Sequence, residues 1–287
     1  MSQCPFSNLL DPDTYKDGMP YKDLKEIRDA GPMVKIEDPI TGIPYWAVTR
    51  IKEMDFVSKN PGLFSSAARS AFPMEMDEFT VEMQQNTIIN MDPPLHQKVR
   101  RIVRNAFTPK RVDSYEAEFR KHAREIVDAV ASQGECEFVE EVAAELPLIA
   151  ILELLGVPLK DRKKFFQWTN TMIFADDPDM SISEEEGQLA AIEVIGYAMQ
   201  LAAQHHEEPM DNITSALLDA ELNGEPVSED IFGWMFILIL VGGNESTRTV
   251  MSQGMRLLME HPEQLNTWST TLTKSAMRSR KCCATTQ

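Results

Sequence analysis

The longest apolar stretch of the chain lies at residues 231–241, where nearly every side chain is apolar and no strand-like alternation occurs. A segment that is apolar on every side predicts a helix running through the middle of a core. Ser228 stands in front of it as an N-cap, and Glu229 and Asp230 fall in the first turn, where the helix dipole favours acids. The pattern therefore predicts a buried helix over residues 228–250, around which the chain is organised.

A polar break follows this apolar run, because residues 242–247 read Gly-Gly-Asn-Glu-Ser-Thr. Each glycine costs about 1 kcal/mol relative to alanine in a helix interior. One interpretation ends the helix here with a glycine C-cap and begins a loop. We favour the other, one long helix distorted locally at Gly242 and Gly243, because helical spacing of apolar residues resumes at once and continues to Leu258. Something flat could then lie against the helix backbone, beside an acid and two hydroxyls.

The rest of the chain predicts a mainly helical protein. Helices are expected over residues 21–30, 51–59, 115–131, 142–155, 162–174 and 184–206. Residues 33–36 and 45–48 form the only convincing strand pair, a hairpin with a turn-rich connection. Residues 64–90 show little periodicity but are rich in Met and Phe, including Phe72 and Met83. That segment is either a surface loop or a lid over an apolar pocket.

A basic stretch occupies residues 96–111, which contain six Lys or Arg residues and no acid. Pro94 suits the start of a helix, and on that helix His96 and Arg100 lie one turn apart on the same side. The stretch is either a solvated basic face or a binding site. In the binding interpretation, His96 and Arg100 hold an anionic group. Basic side chains on the outer side, namely Lys98, Arg101 and Arg104, would then face an acidic partner.

Composition narrows the classes of function. The chain has 287 residues, 43% of them hydrophobic, which suits one large domain or two ordinary ones. Its net charge of −17 disfavours nucleic-acid binding and favours a soluble protein. The first ten residues show no signal peptide, and the longest apolar run is shorter than the about 20 residues needed to span a bilayer. Four cysteines form no disulfide framework and no metal spacing, which is consistent with the cytoplasm. The histidines His122, His205 and His206 are interpreted as surface residues.

The motifs in their order resemble the bacterial cytochrome P-450 family of haem-thiolate monooxygenases. The resemblance rests on His96-x-x-x-Arg100 in a helix started by proline, followed much later by the 242–247 motif inside a long apolar helix. It extends from Asp11 through Leu265 and includes the strand at residues 45–49, the segment at 64–66 and the helix exit at 107–109. Each motif alone is weak, but their order and separations together are specific.

The resemblance implies a cofactor, haem b, and residues that hold it. By resemblance, His96 and Arg100 would bind a haem propionate, which suits His and Arg donors one turn apart. Gly242 and Gly243 would let the central helix approach the distal face of the haem and leave room for dioxygen.

The same resemblance implies roles in the reaction. Glu245 and Ser246 would be the acid and the alcohol that relay protons to iron-bound oxygen. Serine stands where the family usually has threonine, so it keeps the hydroxyl but lacks the methyl group that limits rotamers. The apolar substrate would contact Leu238, Val241, Phe72 and Met83.

One part of the family pattern is missing from this chain. The family binds iron through a cysteine thiolate in a Gly-rich loop well beyond the central helix. Cys282 and Cys283 lack both the Gly-rich surroundings and the distance, so no metal ligand is assigned. The chain as written is expected to be inactive for that reason.

The last 22 residues differ from the rest, because residues 266–287 contain no acid, whereas the preceding 265 contain all 45. A one-frame shift after Leu265 permits a different peptide with an acidic amphipathic helix and the Glu-x-x-Arg pair that the family places next. We therefore expect residues 266–287 to be an aberrant tail.

The sequence thus predicts a mainly α cytochrome P-450 fold with a small N-terminal β region, lacking the C-terminal haem-ligand part. Residues 1–265 would be the N-terminal and central part of a single domain. The intact protein would be an oxidoreductase that hydroxylates a steroid, terpenoid or fatty chain with O2. Its electrons would come from a ferredoxin-type carrier at Lys98, Arg101 and Arg104. The alternative is a non-catalytic helical protein that binds an apolar ligand.

Overall fold

The computed structural model describes residues 9, 11–37, 42–68, 81, 85–175, 177, 179–208 and 211–270. The chain divides into two units, Met1–Lys98 and Val99–Gln287. The prediction that residues 1–265 belong to a single domain stays a prediction.

The first unit contains a helix and a hairpin with a small core of their own. Helix α1 (Tyr21–Ala30) precedes strands β1 (Met33–Glu37) and β2 (Pro44–Val48), and helix α2 (Ile51–Lys59) follows. The strands are antiparallel, with Val34 opposite Ala47. Their inward side chains alternate as expected for a half-buried strand, so Val34 and Ile36 cluster with Ile27 of α1. The predicted hairpin is therefore confirmed.

Helix α3 (Leu95–Ala106) spans the division between the units, and the described part of the second unit consists of helices and one short hairpin. Its elements, in chain order, are α4 (Pro109–Ser114), α5 (Glu116–Ala131), a π-helical turn (Val139–Ala143), α6 (Glu145–Leu155), α7 (Arg162–Ile173), α8 (Glu184–Glu207), α9 (Ile213–Leu218), β3 (Glu221–Leu222), β4 (Glu225–Pro226), α10 (Glu229–Glu260) and α11 (Pro262–Thr270).

Helix α10 lies at the centre of the second unit and packs against α6 and α8, while α7 packs against α8. The side chains that fill this core are fully buried and come from several helices: Leu148, Leu152, Leu155, Phe165, Ile213, Leu217, Phe232, Met235, Phe236 and Leu240. The first half of α10 thus buries apolar residues against more than one neighbouring helix.

The prediction of one long helix is confirmed, because α10 continues without interruption for 32 residues. Its start is also as predicted: the Ser228 hydroxyl accepts a hydrogen bond from the Ile231 amide at 3.4 Å, with Glu229 and Asp230 in the first turn. The local distortion predicted at Gly242 and Gly243 was wrong, because the helix stays α-helical through both residues.

Two further sequence-based expectations were wrong. The N-terminal hairpin is not the only strand pair, since β3 and β4 also pair, through a turn in which Asn223 and Gly224 both have positive φ. Such a two-residue turn matches the twist of a hairpin and makes even a very short strand pair possible.

The histidines were also misjudged, because two of them lie against acids from other elements. His205 is 5% exposed, and its ring contacts Ser215 Oγ at 2.9 Å and Asp219 Oδ1 at 3.1 Å. His122 contacts Glu153 Oε1 at 2.8 Å, with a side chain only 12% exposed. Partners that are distant in sequence compensate for burying these rings.

Candidate functional site

One face of α10 collects four of the residues that the sequence predicted for the site. Leu238, Gly242 and Ser246 follow at intervals of four and therefore lie on one stripe of the helix. Gly242 and Ser246 are exposed, while Leu238 and Val241 are half-buried. A methyl group added at Gly242 would meet no atom within 4 Å. The stripe is thus open at its glycine, and we call these four residues the open stripe.

The neighbouring glycine has a different role, because Gly243 faces α6. A Cβ atom placed at Gly243 would lie 2.8 Å from Ile151 Cδ1, closer than real Cβ contacts. Glycine therefore lets the two helices approach closely there without a shift of the Ile151 side chain. The two adjacent glycines serve separate purposes: Gly243 permits packing, and Gly242 leaves space beside the helix.

The two hydroxyls of the motif donate to the carbonyl groups of the two glycines. Ser246 Oγ donates to the Gly242 carbonyl at 2.6 Å, and Thr247 Oγ1 donates to the Gly243 carbonyl at 3.0 Å. Hydroxyls that bond the carbonyl one turn back share an acceptor with the helix and often bend it. The hydroxyl proton of Ser246 is thus used in a hydrogen bond within the helix, while the lone pairs of Ser246 Oγ can accept another hydrogen bond.

Glu245 is half-buried, and both of its carboxylate oxygens are engaged. Oε2 forms an ion pair with Arg248, and Oε1 accepts a hydrogen bond from Asn244 Nδ2 at 3.2 Å. Burial raises the pKa of Glu245 above its ordinary range, and the positive charge and hydrogen bond of Arg248 oppose that rise. Within the described residues, no hydrogen bond joins Glu245 to Ser246, so the predicted acid and alcohol are adjacent but bound elsewhere.

Sequence reasoning missed the residues that surround Glu245. Arg248 donates to Asn170 Oδ1 at 3.0 Å, and its guanidinium carbon lies 5.6 Å from the centre of the Phe174 ring. An acid followed three residues later by an arginine is a recognisable helical pair, so Arg248 could have been found from the sequence. Asn170 and Phe174 lie far away in sequence, and no local pattern identifies them.

On α3, the structure separates the basic side chains from the apolar ones. Val99, Ile102 and Ala106 are buried. Arg100 is exposed and His96 is half-buried. Within the described part of the chain, neither of these two side chains makes a hydrogen bond or an ion pair. Three further basic side chains of this helix, Lys98, Arg101 and Arg104, are exposed.

Some predicted residues lie outside the described part of the chain. Phe72 and Met83 belong to undescribed segments, as do Cys282 and Cys283. Their assignments stay predictions. The described Cys136 is exposed.

One cavity of the second unit lies elsewhere. It measures about 770 Å³, lies between α5, α6 and α7, and has charged walls that include Glu141, Glu145, Arg162 and Lys163. Of the described residues that line it, none is a predicted site residue. Because sequence-predicted residues lie on α10 and not around this cavity, we assign the site to the open stripe.

Solved structures with the same fold are bacterial cytochromes P450. A Mycobacterium marinum cytochrome P450 in complex with pseudoionone superposes with a TM-score of 0.80 at 26% identity, covering 96% of this chain and 69% of that one. A Bacillus subtilis cytochrome P450 of bacillaene synthesis has a TM-score of 0.79, covering 95% and 67%, at 24% identity, and shows the fold alone. The predicted fold class is confirmed.

Curated relatives agree with the solved structures. A steroid C26-monooxygenase of Rhodococcus jostii is 38% identical over 265 residues, which cover 90% of this chain and 56% of the relative. A methyl-branched lipid omega-hydroxylase of Mycobacterium tuberculosis is 32% identical, covering 83% and 56%. No family model matches the chain. The chain is thus similar over most of its length to bacterial cytochromes P450 in fold and to curated monooxygenases in sequence, so the resemblance of its motifs to that family is confirmed.

The chain spans 56% of the length of each of these two curated relatives. Among the described residues, no helix has the length and apolar character needed to cross a membrane.

Proposed function

We propose that the whole protein is a haem-dependent monooxygenase, which inserts one oxygen atom from O2 into an apolar substrate. The observation that carries this proposal is the open stripe on α10, in a chain 38% identical to a steroid C26-monooxygenase. The relatives are named for steroid and methyl-branched lipid substrates. A steroid, terpenoid or fatty chain is therefore the proposed substrate class.

Haem b supplies the oxygen activation when it is bound. The residues present fit this group: Gly242 leaves open space at the stripe, and a Cβ atom there would occupy it. We assign the haem carboxylates to His96 and Arg100 of α3, because cationic donors form short, strong hydrogen bonds with carboxylates. Gly243 contributes indirectly, by letting α10 and α6 approach each other closely.

Ser246 and Glu245 are the proposed proton carriers. The Ser246 hydroxyl donates its hydrogen bond to the Gly242 carbonyl. Its oxygen lone pairs therefore remain able to accept a hydrogen bond from a proton donor. The raised pKa of Glu245 lets this carboxyl hold a proton at a higher pH than an ordinary glutamate. Leu238 and Val241 lie half-buried beside them and would contact the apolar substrate.

The proposed electron donor is a small acidic, ferredoxin-type protein. Lys98, Arg101 and Arg104 are exposed on one helix of an otherwise acidic chain. A local positive surface would steer a negatively charged carrier and orient it. We propose the cytoplasm as the location, where such carriers and reduced cysteines occur together.

Haem titration of the full chain tests the cofactor assignment. Arg100→Ala should weaken haem binding roughly tenfold to a hundredfold, the range expected for one charge-assisted hydrogen bond. Arg101→Ala is the matched control, since it removes the same charge from the same helix, and it should leave haem affinity nearly unchanged. Equal effects of the two variants would show that α3 acts only through its overall charge.

A chimera tests the activity. Residues after Leu265 are replaced by the corresponding part of the Rhodococcus jostii relative, and the protein is loaded with haem. We expect a substrate-induced shift of the haem absorption spectrum and hydroxylated product that depends on O2 and an electron donor. If the chimera takes up haem saturably but forms no product with steroids, terpenoids or fatty chains, the proposed activity is wrong.

The alternative, a non-catalytic protein that binds an apolar ligand, is not favoured. The curated relatives are named as monooxygenases and hydroxylases over most of this chain. The absence of saturable haem uptake by both the chain and the chimera would reverse that preference.

A further inference from the structure

The group around Glu245 points to a residue that controls the proton carrier. We propose that Arg248 is the positioning residue of Glu245, and that Asn170 of α7 and Phe174, directly after α7, in turn hold Arg248 in place. The inference deepens the proposed function and, where it concerns proton transfer, rests on it. It assigns no contact between Arg248 and substrate or cofactor.

Arg248 divides its hydrogen bonds between Glu245 and Asn170. One guanidinium nitrogen, Nη2, pairs with the Glu245 carboxylate, while Nη1 donates to Asn170 Oδ1 at 3.0 Å. The planar fork of arginine fixes the directions of these two bonds relative to each other. The Asn170 side chain therefore fixes the position of the Arg248 guanidinium, and the guanidinium in turn fixes the position of the Glu245 carboxylate.

The ion pair between Arg248 and Glu245 is largely shielded from water. The side chains of Arg248 and Glu245 are 11% and 17% exposed, so water screens their attraction only weakly. The Phe174 ring lies 5.6 Å from the guanidinium carbon and provides a flat surface on which this cation can rest. In such surroundings, removing one partner leaves the other as an uncompensated charge.

The other carboxylate oxygen of Glu245, Oε1, is also held by a buried side chain. Asn244 Nδ2 donates to Glu245 Oε1 and also lies 3.4 Å from Thr169 Oγ1 of α7. Asn244 is 1% exposed, and its own Oδ1 is buried without a hydrogen-bond partner. Both carboxylate oxygens are thus bound to residues that contact α7, on the side of α10 away from Ser246.

This arrangement differs from an ordinary surface ion pair, and α10 offers the comparison. Arg256 and Glu260 also pair on this helix, at 3.4 Å, but their side chains are 63% and 52% exposed. Exposed pairs of this kind contribute little to stability and hardly restrict the position of either side chain. Arg256→Met is therefore a matched control for Arg248→Met.

The test follows the protonation of Glu245 in the full chain without haem. The carboxylate infrared band of Glu245 is isolated as the difference between the native chain and Glu245→Gln, over a series of pH values. Arg248→Met should raise the pKa of Glu245 further, because the charge that opposes burial is gone. Arg248→Lys should restore most of the native pKa, since it keeps the charge, and Arg256→Met should leave the Glu245 band unchanged.

The position of the carboxylate needs a second variant. Asn170→Ala keeps the Arg248 charge but removes its anchor, so we expect a broadened carboxylate band with a smaller rise in pKa. Circular dichroism checks that each variant is folded. Should Arg248→Met lose its fold, Glu245→Gln with Arg248→Met restores a neutral pair and should recover the melting temperature.

The two proposals fail separately. A Glu245 pKa that is unchanged in Arg248→Met would overturn the positioning role, even in a chain whose chimera is an active monooxygenase. A chain that takes up no haem would overturn the proposed function and leave this titration valid. In the haem-loaded chimera, Arg248→Met should also lower the ratio of product formed to O2 consumed, with a changed pH profile, and Arg248→Lys should restore part of it.

Discussion

At the scale of single residues, the site depends on where each side chain of residues 242–247 points. Adjacent helical residues differ in direction by about 100°, so the six residues of the motif cannot share one face. Gly242 and Ser246 lie on the open stripe, whereas Gly243 faces Ile151 and Asn244 is buried beside Thr169. The motif therefore combines an exposed face with residues that pack against neighbouring helices.

Glu245 gives a prediction about pH. Its pKa in the folded chain is raised above the ordinary value of 4.5, chiefly by burial, so the folded state binds its proton more tightly than the unfolded state. The stabilisation that results is fully present below pH 4.5 and is lost as the pH rises through the folded-state pKa. Relative to Glu245→Gln, the native chain should therefore become less stable from pH 4 towards neutrality.

Urea unfolding of both proteins over this pH range measures the difference in the free energy of unfolding. Gln keeps the shape of the side chain but does not titrate, so other groups cancel in the comparison. A native chain that gains stability over the variant with rising pH would show that Arg248 outweighs burial, contrary to the expectation.

At the scale of elements, the contact between α10 and α6 depends on one missing Cβ atom. Gly243→Ala should lower the free energy of unfolding by about 1–3 kcal/mol, because the added methyl group would meet Ile151 Cδ1 at 2.8 Å. Gly242→Ala is the matched variant one position earlier. It should raise the free energy of unfolding by up to about 1 kcal/mol, since alanine is the better helix former and meets no atom.

Denaturant unfolding distinguishes these two alanines. Ile151→Val removes the Cδ1 atom, so combining it with Gly243→Ala should cost less than the sum of the two single changes. Equal effects at both glycines would mean that the helix backbone, and not packing against α6, decides the need for glycine.

At the scale of the whole molecule, charge is the dominant property. The chain has 45 acids and 28 bases, hence a net charge of −17. Exposed ion pairs, such as Lys25 with Asp29 and Arg120 with Glu116, contribute little individually and do not offset this excess. Repulsion between the remaining acids opposes the compact state.

Salt should therefore stabilise the chain. Raising the ionic strength from 0.01 M to 0.15 M shortens the screening length from about 30 Å to about 8 Å, which weakens repulsion across the molecule. The melting temperature should rise with sodium chloride over this range. A fall would show that attractive pairs contribute more than the net charge.

The elements of this fold could be predicted wherever local patterns determine them. The starts and ends of α1 and α2 agree with the sequence, and Ser228 begins the central helix as its cap. The short strands β3 and β4 were missed because two residues each are too few for a periodic signal. The π-helical turn before α6 was missed for a similar reason, since apolar spacing does not distinguish it from the helix that follows.

For the candidate site, sequence alone determined the residue types and their order: a glycine pair, an acid and two hydroxyls inside a long apolar helix, and a His and an Arg one turn apart. These features follow from local helical spacing, which depends only on neighbours in the chain. Tertiary structure alone decided that Gly243 packs on Ile151 while Gly242 remains open. It also decided that Arg248, held by Asn170 and Phe174, binds Glu245 between two helices. The physical reason is that the packing partners come from α6, α7 and Phe174, all more than 70 residues earlier in sequence, as in the contact between Asn170 and Arg248.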